Sequence, residues 1–255
     1  LRGGVKAAQG NLEAAAGDAE AALAAHPEQA EALALLADVR TQQGRSDQAK
    51  ALLEQAVAAH PKRLSLKLAL AEIHESLGES AEVIALFEQL AADQPEAFAP
   101  RLQLARYLAA KGQVEAAEET LRAAVAAAPS ERERKLMLVQ LITETRGADA
   151  AIAELRRWID AGPDDNTLSL ELAGLYGAVG RRDEMAATYQ GIVERDPEAP
   201  AAARAKARLA AIALARDERD RAEALAEEVL AADGENADAL LVRATLMLQR
   251  EEIEQ

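Results

Sequence analysis

The residues of this sequence that could do acid, base or metal chemistry are not spaced as a recognisable reaction centre. The 255-residue chain has 44 aspartates and glutamates, three histidines and no cysteine. A zinc site on one helix needs histidines or carboxylates four residues apart, and His26, His60 and His74 form no such pattern. Nor does the sequence contain a glycine-rich phosphate loop or a nucleophile elbow. We therefore predict no metal site, no cofactor and no enzymatic activity.

Composition and charge argue against some kinds of binding partner for this chain. The net charge is −15 and the isoelectric point is near 4.8, whereas binding to phosphate backbones needs clustered lysine and arginine, so we expect no nucleic acid partner. No apolar run approaches the length of a membrane span, about 20 residues. The first residues, Leu-Arg-Gly-Gly, lack the pattern of a signal peptide, so any export signal is expected outside this chain. Half of the residues are hydrophobic and only 2% are aromatic, which favours helices over sheets.

Proline and glycine recur with the same period, and that period indicates where helices begin and end. Prolines recur every 34 residues at positions 27, 61, 95, 129, 163 and 197. Glycines at 10, 44, 78, 112 and 180 keep the same spacing, with Arg146 and Gly147 in the missing slot. Between each glycine and the next proline, apolar residues recur at i, i+4 and i+7, as on one face of a helix. Each unit is therefore predicted to be a helix, a glycine turn, a second helix and a proline turn.

The residues at these boundaries have predicted roles. The turn glycines are expected to adopt positive φ, and Ser46, Ser80, Asp149 and Asp183 are expected to cap the helices that follow. His26 and His60 stand just before a proline, where a partial positive charge suits the end of a helix. In the sixth unit Asp217 replaces the glycine and Gly234 the proline.

This pattern resembles the tetratricopeptide repeat, which has a 34-residue period. The clearest copy, 30–63, has matching residues at Leu33, Leu36, Ala37, Gly44, Ala49, Leu53, Ala56 and Pro61. Further copies are predicted at 64–97, 98–131, 132–165, 166–202 with a short insertion, and a divergent 203–236. Partial repeats are predicted at 1–29 and at 237–255, the latter stopping early in a second helix. The slot where the family often has tryptophan holds Lys67, Arg101, Lys135, Ser169 and Lys206, so aliphatic packing or a lysine stem must fill it.

The resemblance implies an all-α solenoid, a right-handed superhelix of stacked antiparallel hairpins. It also implies that first helices line a concave groove and bind ligands there. Mapped onto this sequence, the groove would hold Leu68, Glu72, Leu102, Gln103, Arg106, Leu136, Gln140 and Leu170. The four leucines form either an apolar stripe for a partner or packing between hairpins, and the polar residues form either a binding face or an ordinary solvated face.

The resulting functional prediction is a protein-interaction scaffold that binds a peptide or protein segment. Alanine-rich arrays of this kind are similar to those of bacterial envelope and secretion assembly proteins, so we expect a piece of a longer bacterial array. A periplasmic or envelope location is slightly favoured over a cytoplasmic one. Two alternatives remain: a structural spacer or self-assembly module that associates through open solenoid ends, and a non-catalytic domain of a larger enzyme.

Overall fold

In the computed structural model, which describes residues 2–8, 10–162 and 166–254, every regular element is an α-helix. The helices are α1 (Arg2–Ala8), α2 (Leu12–Ala25), α3 (Ala30–Gln42), α4 (Ser46–Ala59), α5 (Leu64–Ser76), α6 (Ser80–Asp93), α7 (Phe98–Ala110), α8 (Val114–Ala127), α9 (Arg132–Arg146), α10 (Ala148–Ala161), α11 (Asn166–Ala178), α12 (Arg182–Arg195), α13 (Pro200–Ala215), α14 (Arg219–Ala232) and α15 (Ala237–Glu254). Odd-numbered helices, which precede a glycine turn in each repeat, are called first helices below, and even-numbered ones second helices.

The glycine turns have the predicted backbone. Gly10, Gly44, Gly78, Gly112, Gly147 and Gly180 have φ between 72° and 85°. At Gly78 the turn is closed by a 2.9 Å hydrogen bond from the backbone N–H of Glu79 to the carbonyl of His74, the six-to-one bond of a Schellman motif. Asp217 adopts the same left-handed conformation, with φ of 60°, so the turn survives where glycine is replaced.

The ends of the second helices also follow the sequence. His26 and His60 occupy the residue after the last helical position of α2 and α4, and each backbone N–H still donates to a carbonyl four residues earlier. This confirms their placement at helix ends. Pro163, part of the proline series, lies outside the described residues.

The capping prediction is wrong. Ser46 and Ser80 are the first residues of α4 and α6, and the capping positions are Arg45 and Glu79, which make no side-chain cap bond. Asp149 and Asp183 lie within the first turns of α10 and α12. The residue directly after the turn glycine already occupies the capping position, so α4 and α6 each begin one residue earlier than a cap at the serine would require. Acidic side chains in these first turns still suit the positive end of the helix dipole.

The chain divides into two compact units, 1–127 and 128–255, called here the N-terminal and C-terminal units. In the N-terminal unit, Leu33, Leu53 and Leu70 belong to one buried cluster together with Ala49 and Ala56, both completely buried. In the C-terminal unit, one cluster is formed largely by alanines of α13 and α14 with Val242 and Leu246 of α15. Small side chains let neighbouring backbones approach closely, which is how a hairpin with few large residues still builds a core.

The predicted all-α stack of antiparallel hairpins is confirmed within each unit, where consecutive helices pack against one another. One detail differs at the last segment. Residues 237–254 were expected to turn into a second helix, but α15 runs unbroken from Ala237 to Glu254. No glycine or proline interrupts this stretch, so nothing in its sequence stops the helix.

Candidate functional site

The first helices form the inner side of each stack. In the N-terminal unit, α3 contacts both α1 and α5, and in the C-terminal unit α11 contacts α9 and α13, which also contacts α15. Within the described part of the chain, no second helix makes such contacts with another second helix. In these pairs the neighbouring first helices are closer together than neighbouring second helices are. The exposed side of the first helices is called the first-helix face below.

The four leucines of the predicted groove are half-buried. Leu68 and Leu102 lie on α5 and α7 of the N-terminal unit, and Leu136 and Leu170 lie on α9 and α11 of the C-terminal unit. Leu170 packs against a cluster that contains Tyr189 and Ile192. Each leucine therefore contributes to packing and still presents part of its surface to solvent.

The polar residues predicted for the groove are all exposed. Glu72, Gln103 and Arg106 lie on the first-helix face of the N-terminal unit, and Gln140 lies on that of the C-terminal unit. The Gln140 amide donates a 2.8 Å hydrogen bond to the Glu144 carboxylate. Within the described residues, Glu72 and Arg106 take part in no ion pair, so their charges are available to a partner.

A polar clamp between α5 and α7 closes one junction of this face. The Tyr107 hydroxyl donates to one carboxylate oxygen of Glu75 at 2.5 Å, and the Lys111 ammonium donates to the other at 2.6 Å. The ammonium also lies 5.3 Å from the centre of the Tyr107 ring, which packs 6.2 Å from the Phe87 ring. The hydrogen bond from Lys111 and then that from Tyr107 lower the pKa of Glu75, and the bond to Glu75 raises the pKa of Lys111.

Sequence reasoning missed this clamp. The signal that could have found it is the separation of Glu75 and Tyr107 by 32 residues, two less than the period. The same near-period separation joins Arg63 to Glu31 and Arg181 to Asp149. Polar residues two short of one period apart are thus placed to bond across neighbouring repeats.

A small cleft opens between α3 and α5 in the N-terminal unit. Its volume is about 140 Å³, the space of roughly five water molecules at ~30 Å³ each. The floor is apolar and is formed by Ala34, Ala37, Leu53 and Ala69, with Asp38 and Glu72 at its edge. Glu72 is thus the one residue of the predicted groove that lines this cleft.

Two further sets of polar contacts, one at Lys67 and one at Glu79, join side chains of neighbouring helices. Lys67, in the slot that often holds tryptophan in tetratricopeptide repeats, is only 1% exposed, and its ammonium contacts Asp93 at 2.7 Å. The predicted stem packing is therefore found at Lys67. Nearby, Glu79 accepts from buried His74 at 2.6 Å and from Lys50 at 2.7 Å. These bonds, that from Lys50 first, lower the pKa of Glu79.

The aromatic residues differ in how deeply they are buried. Phe87, Tyr176 and Tyr189 are buried. Burial raises the pKa of the Tyr189 hydroxyl. Trp158 is only half-buried, and the Lys135 ammonium lies 5.8 Å from its ring centre.

Metal-binding clusters and membrane-spanning helices are both absent from the described residues. No group of three or more histidines, cysteines, aspartates or glutamates is arranged to hold a metal ion in the part of the chain that the structure describes. Among the same residues, no helix combines the length and apolar character needed to cross a membrane.

Comparison with known proteins points to one family. A family model described as tetratricopeptide repeat matches residues 6–73 and 76–142, and no curated protein matches the chain. A tetratricopeptide repeat protein from Parabacteroides merdae is 18% identical, with 96% of each chain covered and a TM-score of 0.47. The C-terminal part of a TPR repeat-containing protein from Cytophaga hutchinsonii is 13% identical, covering 94% of this chain and 98% of that one, with a TM-score of 0.50.

A third solved structure, Naa15/Naa10 bound to HypK-THB, is 19% identical and has a TM-score of 0.50. It covers 92% of this chain and 36% of that chain. At these identities the likeness concerns the fold.

Proposed function

Because this chain belongs to the tetratricopeptide repeat family, which supports a protein-interaction scaffold, we propose that its first-helix face binds a peptide or protein segment. The observation that carries this proposal is the first-helix face itself. Half-buried leucines and exposed polar side chains share the inner side of each unit, as at Leu102, Gln103 and Arg106 of α7. An extended or helical segment can bury apolar surface on such leucines, and the polar residues at their sides fix its position.

The proposal is tested by selecting peptides from a random display library with the full chain as target. We expect recovered peptides to lose at least tenfold in affinity when Gln103 and Arg106 are replaced by glutamate, because both exposed side chains lie on the first-helix face. The matched control replaces Gln55 and Lys62, which are also exposed and lie on the second helix α4 and just after it, by glutamate. Circular dichroism verifies that all variants stay helical.

Two results would reject the proposal. One is a library from which no peptide is recovered. The other is a set of peptides whose affinity falls equally in the first-helix and control variants. Equal losses would mean that the peptides bind elsewhere or that the added negative charge alone weakens binding.

We also propose an envelope or secretion assembly as the setting of this scaffold. The support is the alanine-rich character of the array, which is similar to arrays of that class. Fractionation of the native host followed by detection of the protein tests it. Recovery in the cytoplasmic fraction alone would contradict it.

Self-assembly is a second candidate function, favoured by the exposed face of α15. Leu241, Met247 and Leu248 are 67%, 58% and 63% exposed, and large exposed apolar side chains on one helix are typical of an interaction surface. If this face joins copies of the chain, sedimentation velocity will show association that rises with concentration. The Leu241→Glu and Leu248→Glu variant should then remain monomeric, and a wild-type protein that is monomeric at every concentration contradicts this candidate.

A further inference from the structure

The α3–α5 cleft is open because α3 lacks the leucine that α5, α7, α9 and α11 have at the same slot. The slot that holds Leu68, Leu102, Leu136 and Leu170 in later repeats holds Ala34 in α3, 34 residues before Leu68. Ala34 lines the cleft. The alanine leaves unfilled the space that a leucine side chain would otherwise take, so the cleft follows from a sequence difference between repeats.

The walls of the cleft combine an apolar floor with acidic edges. Its floor consists of aliphatic groups, including Leu53 from α4 and Ile73 from α5. Asp38 and Glu72 occupy equivalent positions of successive repeats, 34 residues apart, and both are exposed at the edge. The arrangement therefore offers contact to a hydrocarbon stem and two carboxylates at the edge.

The carboxylates at this edge are not neutralised by the protein. Within the described residues, neither Asp38 nor Glu72 forms an ion pair, and Asp38 only accepts a 2.9 Å hydrogen bond from the Gln42 amide. The hydroxyls of Thr41 and Ser76, which also line the cleft, donate to backbone carbonyls of their own helices. Their oxygens are therefore left as acceptors, so a donor rather than an acceptor suits the edge.

At the next junction, between α5 and α7, a carboxylate is already bound by side chains of the protein itself. Between α5 and α7, Glu75 already binds Lys111 and Tyr107. In the α3–α5 cleft no cation among the described residues plays that part.

From this cleft we propose that the chain binds a lysine or arginine side chain of its partner between α3 and α5, with the aliphatic stem on the floor and the cationic end between Asp38 and Glu72. Long basic side chains bury their stems on apolar surface while the charged end stays at a polar edge. This inference rests on the proposed function and adds to it the chemistry of one partner residue.

The test is a titration of the ¹⁵N-labelled full chain with Nα-acetyl-arginine amide and Nα-acetyl-lysine amide, followed by NMR. Nα-acetyl-norleucine amide, which has a comparable stem and no charge, is the control ligand. We expect saturable shifts at Ala34, Asp38 and Glu72 with the basic ligands, and binding of norleucine amide that is about threefold to tenfold weaker, as for two exposed ion pairs.

Two variants separate the stem from the charge. Ala34→Leu restores the residue found in later repeats, so it should fold, fill the cleft and abolish binding of all three ligands. Asp38→Asn with Glu72→Gln should bring the basic ligands down to the affinity of norleucine amide. Glu88→Gln with Glu119→Gln changes two other exposed carboxylates of the same unit and should leave binding unchanged.

The proposal is overturned if the basic ligands cause no saturable shifts, if norleucine amide binds equally well, or if the Asp38 and Glu72 variant binds like wild type. None of these results touches the peptide selection. Selected peptides that require no basic residue would reject this inference and leave the proposed function standing, whereas an empty selection beside normal binding of the amides would reject the proposed function alone.

Discussion

At the scale of single residues, the packing of neighbouring helices depends on a few positions with a special backbone conformation or a buried side chain. Gly78 ends α5 with φ of 75°, a conformation that costs an L-residue about 1–2 kcal/mol. Lys67 fills a position where the family often has a large aromatic residue, and its charge is satisfied by Asp93. Each is a local solution that lets neighbouring helices pack.

Gly78→Ala should lower the free energy of unfolding by about 1 kcal/mol, because only its backbone conformation requires glycine. An added Cβ would meet nothing within 4 Å at this position. Urea denaturation of the full chain measures the change.

Gly17→Ala is the matched control for that variant. Gly17 lies inside α2, has equally open space around it and does not have positive φ. Its replacement should stabilise the protein by about 1 kcal/mol, since alanine favours the helix more than glycine does. Equal effects of the two substitutions would contradict the role assigned to the turn.

At the scale of helices, the sequence predicted where elements begin and end better than which side chains join them. The 34-residue period was sufficient to place the glycine turns because only glycine reaches positive φ at low cost. The cap serines were misplaced because the turn geometry, and not the residue type, decides which position precedes a helix. The Glu75–Tyr107–Lys111 clamp was missed because the 32-residue separation of Glu75 and Tyr107 identifies a contact only once the offset between neighbouring hairpins is known.

That clamp makes a pH-dependent prediction for the α5–α7 junction. Its bonds lower the pKa of Glu75, so the stability they contribute is fully present above the carboxyl pKa of the unfolded chain. It is lost as the pH falls through the lower pKa of the folded state. A ¹³C NMR titration of the Glu75 carboxylate should therefore show a midpoint below the ordinary range of glutamate.

Substitutions at the donors test the cause of that shift. Lys111→Met should move the Glu75 midpoint back towards the ordinary range, and Tyr107→Phe should do so by a smaller amount, following the order of the two hydrogen bonds. An ordinary midpoint in the wild-type protein, or one that neither substitution moves, would show that the clamp does not form in solution.

At the scale of the whole molecule, repetition explains why the sequence predicts a family and not a partner. Four successive repeats supply a leucine at the same slot of the first-helix face, so periodicity identifies the face and leaves its specificity open. Specificity arises where repeats differ, as at Ala34, whose cleft becomes visible only when α3 and α5 are packed together. The net charge of −15 favours encounters with basic partners, an effect that salt screens.

The central claim, that partners bind on the first-helix face, is tested most directly by mapping a library-selected peptide with photo-crosslinkers. A benzoylphenylalanine is placed in turn at Gln103 and Gln140 on first helices, and at Gln55 and Ala153 on second helices, all exposed positions. We predict crosslinks to the peptide from Gln103, Gln140 or both, and none from Gln55 or Ala153. Crosslinks from the second-helix positions alone would contradict the account.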